Sequence, residues 1–485
     1  MKKRFITDLF LYKWRYVIGY SLLVILYFIG IVTAALYAPG GLSQAEIDTI
    51  AVTNSIHFDL NGLSIANLPF HLLQLLFFKL FGVSLITIKA PTILLSIITG
   101  LALFFLLRRW FKPNVSVLSM IIMVATSQFL FIGQNATVEI LYITYTTLTL
   151  LFATLVIQHA KFSQLWRIAL ALTVIFSLFT PYFWYINLGL LAIAIAHPHP
   201  RHFIFSRKYH IQWLPATCVA VVFVAMIAYL CIKSPQLLQD LLGINSLNFN
   251  LLENLRAIFY LYFNINPYIV NGHITPVMDF SVIFLIIFGL LKTLQHFYLA
   301  RSFMVWSWLL LTLPLIILQP QLSALLIIPC FILLAIGIES LLSEWYGLFP
   351  RNPYARITGL VLISSLVLVL TVGGLTKYVN SYRNYPIAVN EFSQDLMVFS
   401  KEVAGNNDRI AILVDSKEQP LYQALAQHSL PQLTVKTIYS PEEKTSPIYV
   451  SLAAKSALPK NHKMQLTKII VNDRSQNSDR FYLYK

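Results

Sequence analysis

Pro39–Pro69 reads PGGLSQAEIDTIAVTNSIHFDLNGLSIANLP. This polar segment separates the first two long apolar runs of the chain and holds Glu46, Asp48, His57, Asp59 and Asn67. The whole sequence has 20 Asp and Glu in 485 residues. Three of so few acids in one short loop suggest a use for them there. A loop beside a membrane is polar in any case, because charged groups stay in water. The flanking sequence decides between the two readings.

Hydrophobic residues make up 57% of the chain and charged residues 11%, with a mean hydropathy of +0.70. A water-soluble globule of this composition would carry more apolar surface than one core could hide, so a polytopic membrane protein is expected. The formal charge of +15 could point to nucleic acid. The Lys and Arg residues, however, sit in small groups between apolar runs rather than on one face, and they read as topology signals. Cys218, Cys231 and Cys330 lie inside apolar runs without paired spacing, which indicates neither a disulfide framework nor a zinc site. The chain begins Met1-Lys2-Lys3-Arg4 and reaches its first apolar run near Val17 with no small-residue cleavage signal. An uncleaved first span is expected.

A membrane-crossing helix needs roughly 20 mostly apolar residues, and by that criterion the chain holds about eleven. They fall near 17–37, 70–107 (a span with an interfacial lead-in), 115–133, 139–158, 167–180, 183–196, 212–232, 276–297, 303–318, 322–342 and 357–376. Basic groups precede the first span (Lys2, Lys3, Arg4, Lys13, Arg15) and follow the second (Arg108, Arg109, Lys112) and the fourth (Lys161, Arg167). The pattern continues with Arg201, Arg207 and Lys208, then Lys292 and Arg301, then Arg351 and Arg356. With this count every group falls on the cytoplasmic side, as the positive-inside rule requires. The alternation favours two short helices broken at Thr180-Pro181 over one kinked helix, because a single helix would put the basic 197–210 loop outside. External loops 38–69 and 233–275 result, and within the second, Leu251 to Phe263 suits a helix lying in the membrane interface. The expected protein is multi-pass in the cell membrane, with a cytoplasmic N-terminus.

After Lys377 the composition becomes that of a soluble protein, which divides the chain into a transmembrane domain, 1–376, and an extracytoplasmic domain, 377–485. Asn390 to Ala404 has helical periodicity. Arg409–Val414, Leu433–Ile438, Ile448–Leu452, Leu466–Val471 and Arg480–Tyr484 read as short strands of a small α/β domain.

The order of words around the second span adds a resemblance. Asn67-Leu68-Pro69-Phe70-His71-Leu72-Leu73 leads into Phe78-Lys79-Leu80-Phe81-Gly82-Val83-Ser84, then Lys89-Ala90-Pro91, then Arg108-Arg109. This run resembles the GT-C glycosyltransferases of the dolichyl-phosphate-mannose protein mannosyltransferase and aminoarabinose transferase kind. The resemblance covers the order of elements over residues 1–376. It implies an all-α membrane fold and transfer of a sugar from a polyprenyl-phosphate donor to an extracytoplasmic acceptor (protein, lipid or envelope glycan). In that family an Asp-Glu pair in the first external loop activates the acceptor. Here Glu46 falls on the Glu, and Ala45 stands where the Asp would be. Glu46 is therefore the expected catalytic carboxylate, with Asp48 its rival, since a partly desolvated carboxylate can act as general base. Two residues along a helix turn about 200°, so only one of them can face a cavity.

Ala136-Thr137-Val138-Glu139-Ile140-Leu141 resembles the segment that carries a second acid in the family. Glu139 opens the fourth span, where an ionisable residue is a functional candidate by default, although an acid also caps a helix N-terminus. A phosphate leaving group gains charge and calls for a cation. Arg256 and His273 are the leading candidates, with Lys79 and Lys89 as alternatives that also fit snorkelling interface residues. The family carries a basic residue and a Tyr in the turn before its tenth span. Here that turn reads Leu318-Gln319-Pro320-Gln321-Leu322, leaving Gln321 and Gln319 as donor contacts or plain turn residues. Asn67 completes the donor and acceptor candidates. Glu46, His57 and Asp59 form a weak divalent-metal set, short of a recognisable ligand pattern. Tyr182, Trp184 and Tyr185 fit an aromatic belt or a sugar-stacking surface. Two further readings stand beside transfer: a transporter or flippase of a lipid-linked substrate, and a catalytically degenerate relative acting as a scaffold. Transport would be marked by paired broken helices in corresponding halves, and 167–196 has no such partner in the sequence.

Overall fold

The computed structural model describes residues 14–57, 63–158, 160–198, 201–202, 207–265, 269–270, 272–404, 409–438, 447–458, 464–472 and 479–484. Asp59 and the basic residues Lys2, Lys3, Arg4 and Lys13 lie outside the described residues.

Helix α1 (Arg15–Tyr37) leads into a short external helix, α2 (Gln44–Asn54), and then α3 (Leu68–Phe81) and α4 (Leu85–Trp110). The 70–107 run is thus two helices, broken at Gly82. That glycine has φ +72°, and a Cβ there would press on the Ser429 hydroxyl, so the break depends on a residue without a side chain. Helices α5 (Pro113–Ala125) and α6 (Ser127–Gln134) form one apolar run bent by 64°. Thr126 at the bend is extended, and its hydroxyl bonds back to the Ile122 carbonyl at 2.8 Å, satisfying an acceptor that the broken helix leaves open.

Helix α7 (Glu139–Ile157) is followed by α8 (Ser163–Ser177), α9 (Phe183–Ala196), α10 (Arg207–Lys233), α11 (Pro235–Leu242) and α12 (Leu251–Phe263). The break at Thr180-Pro181 is real, and Leu251–Phe263 is helical over the range expected. A two-residue ribbon pairs β1 (Ile269–Val270) with β2 (His273–Ile274). Then come α13 (Phe280–Gln295), α14 (Ala300–Leu318), a 3-10 turn Pro320–Leu326, α15 (Ile327–Leu348) and α16 (Pro353–Val379). Among the described residues seven helices are long and apolar enough to cross a membrane, or eight if the bent α5–α6 pair is one span. Helices α8, α9 and α13, the remaining runs of the expected set, are shorter apolar helices. The chain is a multi-pass membrane protein.

Helix α7 is largely buried, whereas α1, α10 and α16 keep most of their apolar side chains on the outside. The latter is what a lipid-facing helix does, because hydrocarbon solvates Leu as well as a protein core would. Helices α13 and α15 approach most closely where Gly289 faces the Leu333 carbonyl and Gly337 faces the Leu285 carbonyl. Small residues at such a crossing let the two backbones touch.

The C-terminal region holds α17 (Pro386–Glu391), α18 (Asp395–Val403), β3 (Ile410–Leu413), α19 (Gln419–His428), β4 (Leu433–Lys436), β5 (Ile448–Ser451), β6 (Leu466–Val471) and β7 (Asp479–Tyr484). The sheet order is β4-β3-β5-β7-β6, parallel across the first three strands and antiparallel across the last three. All five expected strands are present. Helix α19, which the sequence reading did not name, packs between this sheet and α2. Leu42, Ile47, Phe78 and Val83 share one apolar cluster with Leu396, Phe399, Leu421 and Leu425.

Candidate active site

A cavity of about 500 Å³ opens at the Glu139 end of α7. Its walls come from α2 (Ala45, Thr49), the start of α3 (Asn67), the entry to α7 (Thr137, Glu139, Tyr142), the α8–α9 break (Tyr182), the α11 end (Asp240, Gly243, Ser246) and the 3-10 turn (Gln319, Gln321). The volume is that of a small-molecule site. Two acids line it and, among the described lining residues, no Lys or Arg.

Glu139 is the acid that the sequence reading and the cavity share. Its side chain keeps 21% of its surface, and Oε2 lies 3.3 Å from His273 Nε2. The β-ribbon supplies His273, whose ring packs edge-on against Phe131 at 4.5 Å. His273 Nδ1 has no hydrogen-bond partner. Two residues 134 apart in sequence are thus one pair, with Glu139 on the cavity and the imidazole behind it. Asn67 is 8% exposed, its φ is +57°, and its buried Oδ1 lacks a partner. An orphaned acceptor facing a cavity is costly unless something donates to it.

Glu46 does not line the cavity. It is fully buried and its oxygens are occupied. Oε2 accepts the Ser43 N–H at 2.8 Å. Oε1 accepts the Ala136 N–H at 2.7 Å and lies 3.2 Å from Lys89 Nζ. With its amide nitrogen turned toward the carboxylate, Asn135 adds a contact at 3.1 Å. Lys89, also fully buried, donates to Gln134 at 2.7 Å. Ser43 and Glu46 form a capping box at the start of α2, so Glu46 holds the helix and ties it to the entry of α7. Asp48 is exposed on another face, where it accepts from the Gln44 side chain at 3.0 Å. The expectation that one of these two acids points into the cavity is corrected: from α2 it is Ala45 and Thr49 that do.

Helix α2 keeps this orientation through Thr53, whose hydroxyl lies 2.9 Å from His71 Nδ1 and donates to Gln74 at 2.5 Å. Burial holds the His71 imidazole down to about 4, so this link is neutral at physiological pH.

The Leu251–Phe263 helix, which carries Arg256, contributes no residue to the cavity lining, whereas the α11 end and the 320–326 turn do. Arg256 is exposed and rests over the Tyr260 ring at 5.4 Å. Lys79 is exposed in the last turn of α3, outside the lining. Both side chains lie on the surface of the bundle, outside the cavity lining. Glu46 is enclosed and His57 is exposed, so these two members of the weak metal set do not form one site. Among the described residues no three His, Cys, Asp or Glu converge as a metal site. Gln321 does line the cavity, with Gln319 donating to it at 3.2 Å. Tyr182 is the member of the aromatic group that reaches the site, bonding Ser246 at 2.7 Å over Gly243, where any Cβ would strike its ring. Asp240 was missed in sequence, although the scarcity of acids that singled out the first loop applied to it equally.

Residues 68–229 match the family model of dolichyl-phosphate-mannose-protein mannosyltransferase. The fold is that of the GT-C glycosyltransferases of the mannosyltransferase and ArnT type. ArnT from Cupriavidus metallidurans in the apo state superposes with a TM-score of 0.58 at 11% identity, covering 96% of this chain and 98% of that one. The same enzyme bound to undecaprenyl phosphate gives 0.56 at 11% identity, covering 97% and 98%. An Archaeoglobus fulgidus oligosaccharyltransferase, tethered with an acceptor peptide, gives 0.50 at 11% identity over 86% of this chain and 64% of that one. No curated protein matches the sequence significantly.

Proposed function

We propose that the protein transfers a sugar from a polyprenyl-phosphate donor to an acceptor outside the cytoplasm, with Glu139 as the carboxylate that carries the chemistry. One observation supports this above the others: the cavity at the outer end of the bundle gathers Glu139, Asn67 and Gln321, three residues singled out from the sequence, on a fold shared with ArnT. In the reaction the acceptor hydroxyl attacks the anomeric carbon, the bond from that carbon to the phosphate oxygen breaks, and the acceptor proton passes to Glu139. His273 behind Glu139, 3.3 Å from its Oε2, keeps the carboxylate oriented. Neutral donors, Gln319 and Gln321, face the cavity in place of the expected cations, and they would hydrogen-bond the leaving phosphate or the sugar. Asn67 Oδ1 would accept from a sugar hydroxyl.

Ala45 supports a second reading. It lines the cavity at the position where the resemblance expects an acid, which fits a degenerate relative that retains the scaffold without turnover. Incubating purified protein with a polyprenyl-phosphate sugar and an acceptor mixture, and following sugar loss from the lipid, separates the two. Turnover by the natural chain supports the transferase. A silent natural chain that becomes active as Ala45→Asp supports the degenerate relative.

A further inference from the structure

A second cavity lies at the opposite, basic end of the bundle, away from Glu139. It encloses about 580 Å³ among the ends of α13, α14, α15 and α16 and the start of α5. Four cations line it, Lys112, Lys292, Arg301 and Arg356, against two carboxylates, Glu339 and Glu344. Each carboxylate holds one cation: Lys292 meets Glu344 at 2.5 Å and Arg301 meets Glu339 at 2.6 Å. Arg301 is also stacked over Phe111 at 5.0 Å, and Arg356 over Tyr346 at 4.8 Å. The two pairs and two stacks preorganise the wall, and two positive charges remain in excess. A basic membrane face alone does not require this convergence, since Arg108 and Arg109 obey the same topology rule without lining the cavity.

On the far side of Arg301 lies a second, open cleft of about 320 Å³, walled by Trp110, Ile157, Leu299, Ala300 and Met304. Leu299 and Arg301 belong to both. A cationic compartment adjoining an apolar groove across Leu299 and Arg301 matches an amphiphile with an anionic head and a hydrocarbon tail, whereas free phosphate would use only the first. We propose that this end of the bundle binds the phosphate-bearing headgroup of an anionic phospholipid in the four-cation cavity, with an acyl chain along the Trp110–Met304 cleft. The site is separate from the proposed transfer reaction and does not depend on it.

The test is native mass spectrometry of the full chain in detergent, titrated with phosphatidylglycerol, with phosphatidylcholine, and with inorganic phosphate as competitor. Phosphatidylglycerol should be retained in preference to phosphatidylcholine. Lys112→Gln with Arg356→Gln, both exposed positions that fold without burying a new group, should weaken its retention roughly 30-fold, from the contribution of two basic residues beside an anionic headgroup. Ala300→Trp, which fills the cleft and leaves the cations intact, should weaken it as well. Equal retention of the two lipids, undiminished phosphatidylglycerol on the double variant, or its displacement by millimolar phosphate would each overturn the proposal.

Discussion

Glu46 and Lys89 show how little of a buried charge can be read from its neighbours in sequence. The scarcity of acids marked Glu46 as important, and it is: both members of the pair are fully buried, and the carboxylate receives the Ala136 N–H from 90 residues away. That partner is a tertiary fact without a local signal. One local signal was present, however, because Ser43-x-x-Glu46 has capping-box spacing before an apolar run, and it assigns Glu46 to a helix start. Removing one member of a buried ion pair leaves an uncompensated charge, typically at about 3 to 5 kcal/mol. Glu46→Ala and Lys89→Met should each destabilise the protein by that order in denaturant unfolding, and Glu46→Gln with Lys89→Met together should recover a large part. Asp48→Asn, exposed and singly bonded, should change stability by less than about 0.5 kcal/mol.

Elements with a strong period or breaker were legible to within a residue or two. Leu251–Phe263, the break at Pro181 and the five tail strands emerged as expected, because apolar spacing, proline and β-branched runs act locally. The helices Pro235–Leu242 and Gln419–His428 were not named, being short and polar enough to read as loop or linker. Their packing, not their propensity, makes them helices, and the end of the first lines the cavity. At the same scale, the α2–α3 link through Thr53, His71 and Gln74 carries a pH dependence. The His71 imidazole is held to about 4 in the folded protein against an ordinary 6.5. The unfolded chain therefore binds more protons between those values, and stability falls as pH drops through that window, by about 3 kcal/mol in total. Denaturant midpoints from pH 7 to pH 4 should show this loss, and His71→Gln should remove most of it.

For the whole molecule, the alternating basic loops lead us to expect a cytoplasmic N-terminus, a basic inner face and an outer C-terminal region. The C-terminal region packs on the 38–69 loop through Leu42 paired with Ser393, and on the α3–α4 break through Ser429 accepting the Val83 N–H at 2.6 Å, so these segments lie on one side of the bundle. A cysteine placed at exposed Gln423 should react with impermeant reagent from outside the cell and not from the cytoplasm. In the proposed reaction, donor and acceptor meet at Glu139. The most direct measurement is the turnover of Glu139→Gln on a polyprenyl-phosphate sugar, beside the natural chain and Asp48→Asn. A general base contributes about 100- to 10,000-fold, or about 3 to 5 kcal/mol of activation free energy. The prediction is a kcat lowered by that factor in Glu139→Gln with Asp48→Asn unchanged. Full turnover by Glu139→Gln would contradict the assignment of the chemistry to Glu139.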